Sequence, residues 1–220
     1  GNQQKALEML KEMLSMAVAI DDRSNMCYAH QNLSAVYNKI GKEKLSYEHT
    51  LQAYELAKET EDLNMQAAAL TNIAVNKLNN KDYDDALEGF HKVLNIFDGL
   101  GDKIAVIETL HRIANTYKYM HKDTDVVKTC ERALELSKEG KNDPLIATSH
   151  TYLAVAYNEL GNKSEALKNL NQSKKINENG NNQDGLGMIT GMIANHFWET
   201  GDLDSAMPVS YTHLRAHETR

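Results

Sequence analysis

Asn72-Ile73-Ala74-Val75-Asn76-Lys77-Leu78-Asn79-Asn80-Lys81-Asp82-Tyr83-Asp84-Asp85-Ala86-Leu87-Glu88-Gly89-Phe90 contains a pattern that returns every 40 residues along the chain. If a unit begins at Cys27, Ala67, Ile107, Ala147 and Gly187, its seventh position is Leu33, Ile73, Ile113, Leu153 or Ile193. Its eighth is Ser34, Ala74, Ala114, Ala154 or Ala194, and four residues beyond the seventh come Tyr37, Lys77, Tyr117, Tyr157 and Phe197. Residues three and four apart share one face of a helix, so a large apolar, a small and usually an aromatic side chain recur together. The small residue lets a second helix approach, and the large ones fill the space around it. The aromatics are therefore expected in the core. A fixed period of this length means stacked units, each burying its apolar face against its neighbours.

A turn follows each first helix, marked by Gly41, Gly161 and Gly201, with Lys81 and His121 in the same place. Glycine suits a helix end that closes in a left-handed conformation. Asp84, Thr124, Ser164 and Asp204 are expected to cap the second helix, a series that Lys44 breaks. Inside that helix Ala6, Ser46, Ala86, Val126, Ala166 and Ala206 supply a small contact, and Met16, Leu56, Ile96, Leu136 and Ile176 a large one. The join to the next unit places Asp22, Asp62, Asp102, Asn142 and Asn182 at one phase, each suited to cap the following first helix. Pro144 falls in the first turn after Asn142, where a missing amide hydrogen costs little.

Composition narrows the function classes. A hydrophobic content of 41% with two prolines suits a helical, water-soluble chain. Cys27 and Cys130 share no redox or metal spacing, and two thiols cannot build a disulfide framework. A reducing, cytoplasmic setting is expected. No apolar run approaches the roughly 20 residues that span a bilayer. The net charge of -7 argues against a general nucleic-acid binder, which needs clustered Lys and Arg to neutralise phosphates.

The ends break the pattern. Gly1 falls at a turn phase and Ala6, Leu10, Met13 and Met16 at second-helix phases, so the chain is expected to open halfway through a unit. Pro208, Ser210 and His213 then occupy phases that should be helical and apolar. Val209 to Glu218 resembles translated sequencing-adapter read-through, and residues 208–220 are set aside as a non-native tail. That tail holds Arg215, Arg220 and Glu218, so without it the balance moves from -7 to -8. The expected organisation is a solenoid over 1–207, with a half repeat at 1–20, repeats from 22, 62, 102 and 142, and a truncated one from 182. Uncapped apolar ends of such a stack should self-associate.

The large-small-aromatic, glycine, alanine order resembles the tetratricopeptide repeat family, whose 34-residue unit runs W-x2-L-G-x2-Y, then A-x3-F, then P. The resemblance covers residues 1 to about 207. His30, Leu70, Leu110, His150 and Thr190 stand at the tryptophan position, the terminal proline is absent, and the longer unit adds roughly one and a half helical turns. Repeats of this length are similar to those of bacterial multidomain regulators and of some eukaryotic scaffold and motor-adaptor proteins. The resemblance implies an all-α, right-handed solenoid of antiparallel helix pairs whose first helices line a concave groove.

On that resemblance the groove receives Tyr28, Gln31, Asn32 and Asn38 from one first helix and Thr71, Asn72 and Val75 from the next. Glu108, His111, Arg112, Asn115 and Lys118 follow, then Thr151, Tyr152, Val155 and Asn158, then Met188, Met192, Asn195 and Trp198. Side chains of these types suit hydrogen bonding to a peptide backbone; the bland alternative is that several simply face water. Some family members clamp a partner's terminal carboxylate, and Asn72 and Arg112 match two of the clamp positions. Gln31, Ala35 and Glu108 replace the others, and a carboxylate beside Glu108 would be repelled, so no clamp is expected.

Glu108-x-x-His111 has the spacing of a helical metal-ligand pair, but no second copy accompanies it and no metal is expected. Cys27 and Cys130 have no activating partner in sequence, which favours packing roles. No catalytic constellation or phosphate-binding loop is present, and no cofactor is expected. The chain is therefore expected to be a non-catalytic module that takes a protein or peptide in its groove, as the sensory or scaffolding region of a larger bacterial signalling protein. Leu100-Gly101-Asp102-Lys103 resembles joins that precede histidine kinase and cyclase domains, so the regulatory part of an enzyme is the alternative, with a stand-alone assembly factor or peptide receptor as a third.

Overall fold

The computed structural model describes residues 2–202, so the expectations for Gly1, Asp204, Ala206 and the 208–220 tail lie outside the described residues. These residues form two compact units, divided between Asp102 and Lys103. The first contains α1 (Asn2–Ala19), α2 (Arg23–Lys39), α3 (Glu43–Glu59), α4 (Leu63–Asn79) and α5 (Tyr83–Leu100). The second contains α6 (Lys103–Tyr119), α7 (Asp123–Glu139), α8 (Asp143–Glu159), α9 (Lys163–Asn179) and α10 (Gln183–Thr200). The described residues are all-α, and α2, α4, α6 and α8 each form a hairpin with the helix that follows it.

One turn design sets the cadence. A residue with positive φ recurs at every twentieth position: Asp21, Gly41, Glu61, Lys81, Gly101, His121, Lys141, Gly161, Asn181 and Gly201. The next residue's amide donates back to a carbonyl five residues earlier, as Lys42 does to Tyr37 and Asn142 to Ser137, which satisfies a carbonyl the helix end leaves free. At eight of these turns that same residue is the N-cap of the following helix. Asp22, Asp62, Asn142 and Asn182 accept the amide of Asn25, Met65, Leu145 and Gly185 respectively. Pro144 lies in the first turn of α8.

The second-helix caps stand two residues earlier than the sequence pattern placed them. They are Lys42, Asp82, Lys122 and Asn162, and of these only Asn162 makes a side-chain cap bond, accepting from the Glu165 amide. Asp84, Thr124 and Ser164 lie inside the first turn instead. A single left-handed residue completes the connection, which leaves no room for the longer turn those positions required.

The cores run along each unit from hairpin to hairpin. In the first, Leu7, Leu33 and Tyr37 join α1 to α2, while Cys27, Ala53, Leu56 and Ala57 join α2 to α3 and Ala67, Leu70 and Val93 join α4 to α5. In the second, Ala114, Val126, Cys130, Leu153 and Ala156 link α6, α7 and α8, and Ala154, Leu170, Ile189 and Ile193 link α8, α9 and α10. Ala74, Ala114 and Ala154 are buried, so helices approach at the small positions. Tyr37 is buried too, but Tyr117, Tyr157 and Phe197 are only half-buried, packed along the edge of their clusters. A tyrosine ring has an apolar body and a hydroxyl that seeks a partner at the surface, which suits Tyr117 and Tyr157 to the cluster edge, whereas Tyr37 is covered by His49, stacked on it at 5.3 Å.

Candidate interaction face

Three of the expected groove residues, Gln31, His111 and Thr151, instead reach across to another helix. In the first unit, Gln31 Nε2 donates to the Met65 carbonyl at 3.3 Å, tying α2 to α4. Asn32 donates to the Tyr28 carbonyl at 2.8 Å and Thr71 to the Ala67 carbonyl at 2.8 Å, both within their own helix. Tyr28 and Asn72 are exposed, and Val75 is half-buried. In the second unit His111 is buried, its Nε2 2.8 Å from Ser149 Oγ and its ring stacked on Tyr152. The Ser149 hydroxyl already donates to the Leu145 carbonyl, so His111 Nε2 carries the proton and donates. Burial pushes His111 down to about 4. Its imidazole is thus a tie between α6 and α8, set apart from its sequence neighbours Glu108 and Arg112, which are exposed.

Thr151 donates to the Ala147 carbonyl and lies 3.0 Å from Ser173 Oγ, while Asn115 and Tyr152 are half-buried. Two histidines at one phase of the repeat, His30 and His150, make a second, half-buried set of contacts. His30 Nδ1 lies 2.8 Å from His49 Nδ1, and His150 Nδ1 lies 2.8 Å from Asn169 Oδ1, with the same separation in sequence. Asn169 Nδ2 donates to the Glu165 carbonyl, so Oδ1 accepts from His150.

A concavity in the second unit lies between α8 and α10 over α9. Its volume is about 450 Å³, and Val155, Asn158, Met188, Met192 and Asn195, all expected groove residues, line it. Glu159, Gly191, His196 and Glu199 complete its chemistry. Lys163 Nζ donates to Asn158 Oδ1 and to Glu199 Oε2, each at 2.7 Å, and Asn195 Nδ2 donates to Glu199 Oε1 at 2.7 Å. The lysine ammonium, then the asparagine amide, hold Glu199 below the usual carboxylate range. Trp198 stands nearby in sequence and is 69% exposed.

Sequence reasoning missed Glu159, Gly191, His196 and Glu199. The signal for Gly191 was present: the same phase holds Gln31, Thr71, His111 and Thr151 in the other units, so glycine there removes a side chain that elsewhere fills the seam. Nothing stands within 4 Å of a Cβ built on it. His196 gave no such signal, because its phase otherwise holds Val36, Asn76, Thr116 and Ala156.

Cys27 Sγ donates to the Ala53 carbonyl, and burial pushes the Cys130 thiol up to about 12. Neither presents a thiolate.

Solved structures share this arrangement. A signal-transduction ATPase with numerous domains from Pyrococcus horikoshii, which carries a tetratricopeptide repeat sensor, superposes with a TM-score of 0.86 at 17% identity over 99% of this chain and 33% of its own. The fold is tetratricopeptide-like. BtubC from P. vanneervenii superposes with a TM-score of 0.84 at 15% identity over 100% of this chain and 92% of its own. A Rap protein complexed with Competence and Sporulation Factor does so at 0.72 and 16% identity, over 87% of this chain and 54% of its own. The tetratricopeptide-like chain thus spans a third of the ATPase and about half of the Rap protein. No protein-family model matches the sequence, and no curated protein does.

Proposed function

We propose that the chain is a non-catalytic interaction module that receives a peptide, helix or partner domain on the exposed face of its first helices, as the sensory or scaffolding part of a larger bacterial signalling protein. The observation that carries this reading is the cleft between α8 and α10, with apolar walls from Val155, Met188 and Met192 and amides from Asn158 and Asn195 beside them. Apolar concavity with a few placed hydrogen-bonding groups is what a guest side chain and its backbone require. Exposed Trp198, Tyr28 and Arg112 add the residue types that dominate binding energy at interfaces. No helix among the described residues is long and apolar enough to cross a membrane.

A regulatory segment of an enzyme is the second reading, supported by the likeness to the Pyrococcus ATPase, in which a tetratricopeptide repeat sensor belongs to a multidomain signalling protein. Both readings place the partner on the same face. Affinity capture with the wild-type chain and with Arg112→Ala and Trp198→Ala variants tests them: each substitution should lower recovery of partners seen with the wild type. Identical recovery from both variants places the partner elsewhere.

A further inference from the structure

We infer that the α8–α10 cleft takes a lysine or arginine side chain of a partner peptide, its aliphatic stem over Gly191 beside Met188 and Met192 and its cationic head at Glu159 and Glu199. This deepens, and rests on, the interaction-module reading above.

The shape comes from the missing side chain at Gly191. Its φ is helical and the space beyond its Cα is open, so the cleft extends to the helix backbone. Two methionines alongside give a floor and wall that adapt to an unbranched alkyl chain, since thioether side chains have many rotamers and a polarizable sulfur. A β-branched or aromatic guest would use the depth less well.

The charge comes from the rim. Glu159 and Glu199 bring two carboxylates, and Lys163 neutralises one of them through its 2.7 Å contact with Glu199. Glu159 is exposed and stands in no ion pair among the described residues. The cleft therefore keeps a net negative charge, in a chain whose overall balance is -7. An anionic guest would have to break the Lys163–Glu199 pair; a cationic one completes the set.

His196 lines the cleft and is 7% exposed; burial lowers its basicity, with Lys163 adding to the effect, so the ring brings no positive charge that would offset the two carboxylates.

The test selects binders from a random peptide library displayed on phage, against the full 220-residue chain. Enriched peptides are synthesised with their Lys or Arg kept, replaced by norleucine, or replaced by Glu. Binding is then measured to wild type, Glu159→Gln and Gly191→Leu. Gly191→Leu fills the cleft at a helical position with open space, and circular dichroism checks that both variants stay folded. The inference expects Lys or Arg at one enriched position and weaker binding of the norleucine peptide. Glu159→Gln should cost roughly threefold at low salt, and Gly191→Leu about tenfold or more.

Enriched peptides without a cationic position, an equally tight norleucine peptide, or a preference for Glu would overturn the inference while leaving the interaction face standing. Binding unchanged by Gly191→Leu would also overturn it. Failure of any peptide to enrich would count against the interaction module itself.

Discussion

Gly89 on α5 lies so close to Ala74 on α4 that a Cβ built on it would stand 2.8 Å from the Ala74 Cβ. Ala74 is a small residue of the repeat, and its contact is backbone-anchored on both sides, so neither helix can yield without moving. Gly89→Ala should therefore destabilise the first unit by about 1 to 3 kcal/mol, although alanine has the better helix propensity. Gly191→Ala, facing open space, should instead add about 0.5 to 1 kcal/mol. Urea unfolding of the two variants checks this, and equal gains from both would contradict the close approach.

The left-handed turn residues give a second prediction. Glu61 and His121 hold φ of 55°, a conformation that costs an L side chain roughly 1 to 2 kcal/mol. Glu61→Gly and His121→Gly should each raise stability by about 1 kcal/mol once glycine's extra unfolded freedom is subtracted. Gly161→Ala should lose a similar amount although nothing lies near its Cα. Denaturant midpoints should shift with an unchanged slope. Asn181 should gain least, since asparagine tolerates this region.

Acid should weaken the fold through its buried imidazoles. Burial holds His111 at about 4, and burial followed by the neighbouring His49 holds His30 at about 4, against an ordinary 6.5. The folded value lies below the unfolded one, so the unfolded chain binds more protons between those limits. Stability is then fully present above about 6.5 and declines as pH falls toward 4. Going from pH about 7.5 to about 4.5, the wild type should lose about 2 kcal/mol more than His111→Gln, measured by urea titration at each pH. Parallel losses would mean that His111 titrates freely.

The fold was legible because its determinants are local and repeated. Ala74, Ala114 and Ala154 lie at a single phase, and Asp22, Asp62, Asn142 and Asn182 announce their caps through residue type alone. The second-helix caps were misplaced because Lys42 and Lys122 carry no capping signal; there the backbone turn makes the connection without a side chain. The face was less legible, because a residue at a groove phase reaches either solvent or the next hairpin according to its length and partners. His111 and Gln31 have the hydrogen-bonding chemistry of groove residues and found acceptors across the seam, at Ser149 and Met65. Gly191 carried information only as an exception to its column.

The central claim, that partners sit on the first-helix face, is tested most directly by methyl NMR of the methionines during titration with a tightly selected peptide. Met188 and Met192 line the α8–α10 cleft, while Met9 and Met16 lie exposed on α1, a second helix. The account predicts saturable shifts of the Met188 and Met192 methyls with Met9 and Met16 unmoved. Shifts confined to Met9 and Met16 would contradict it.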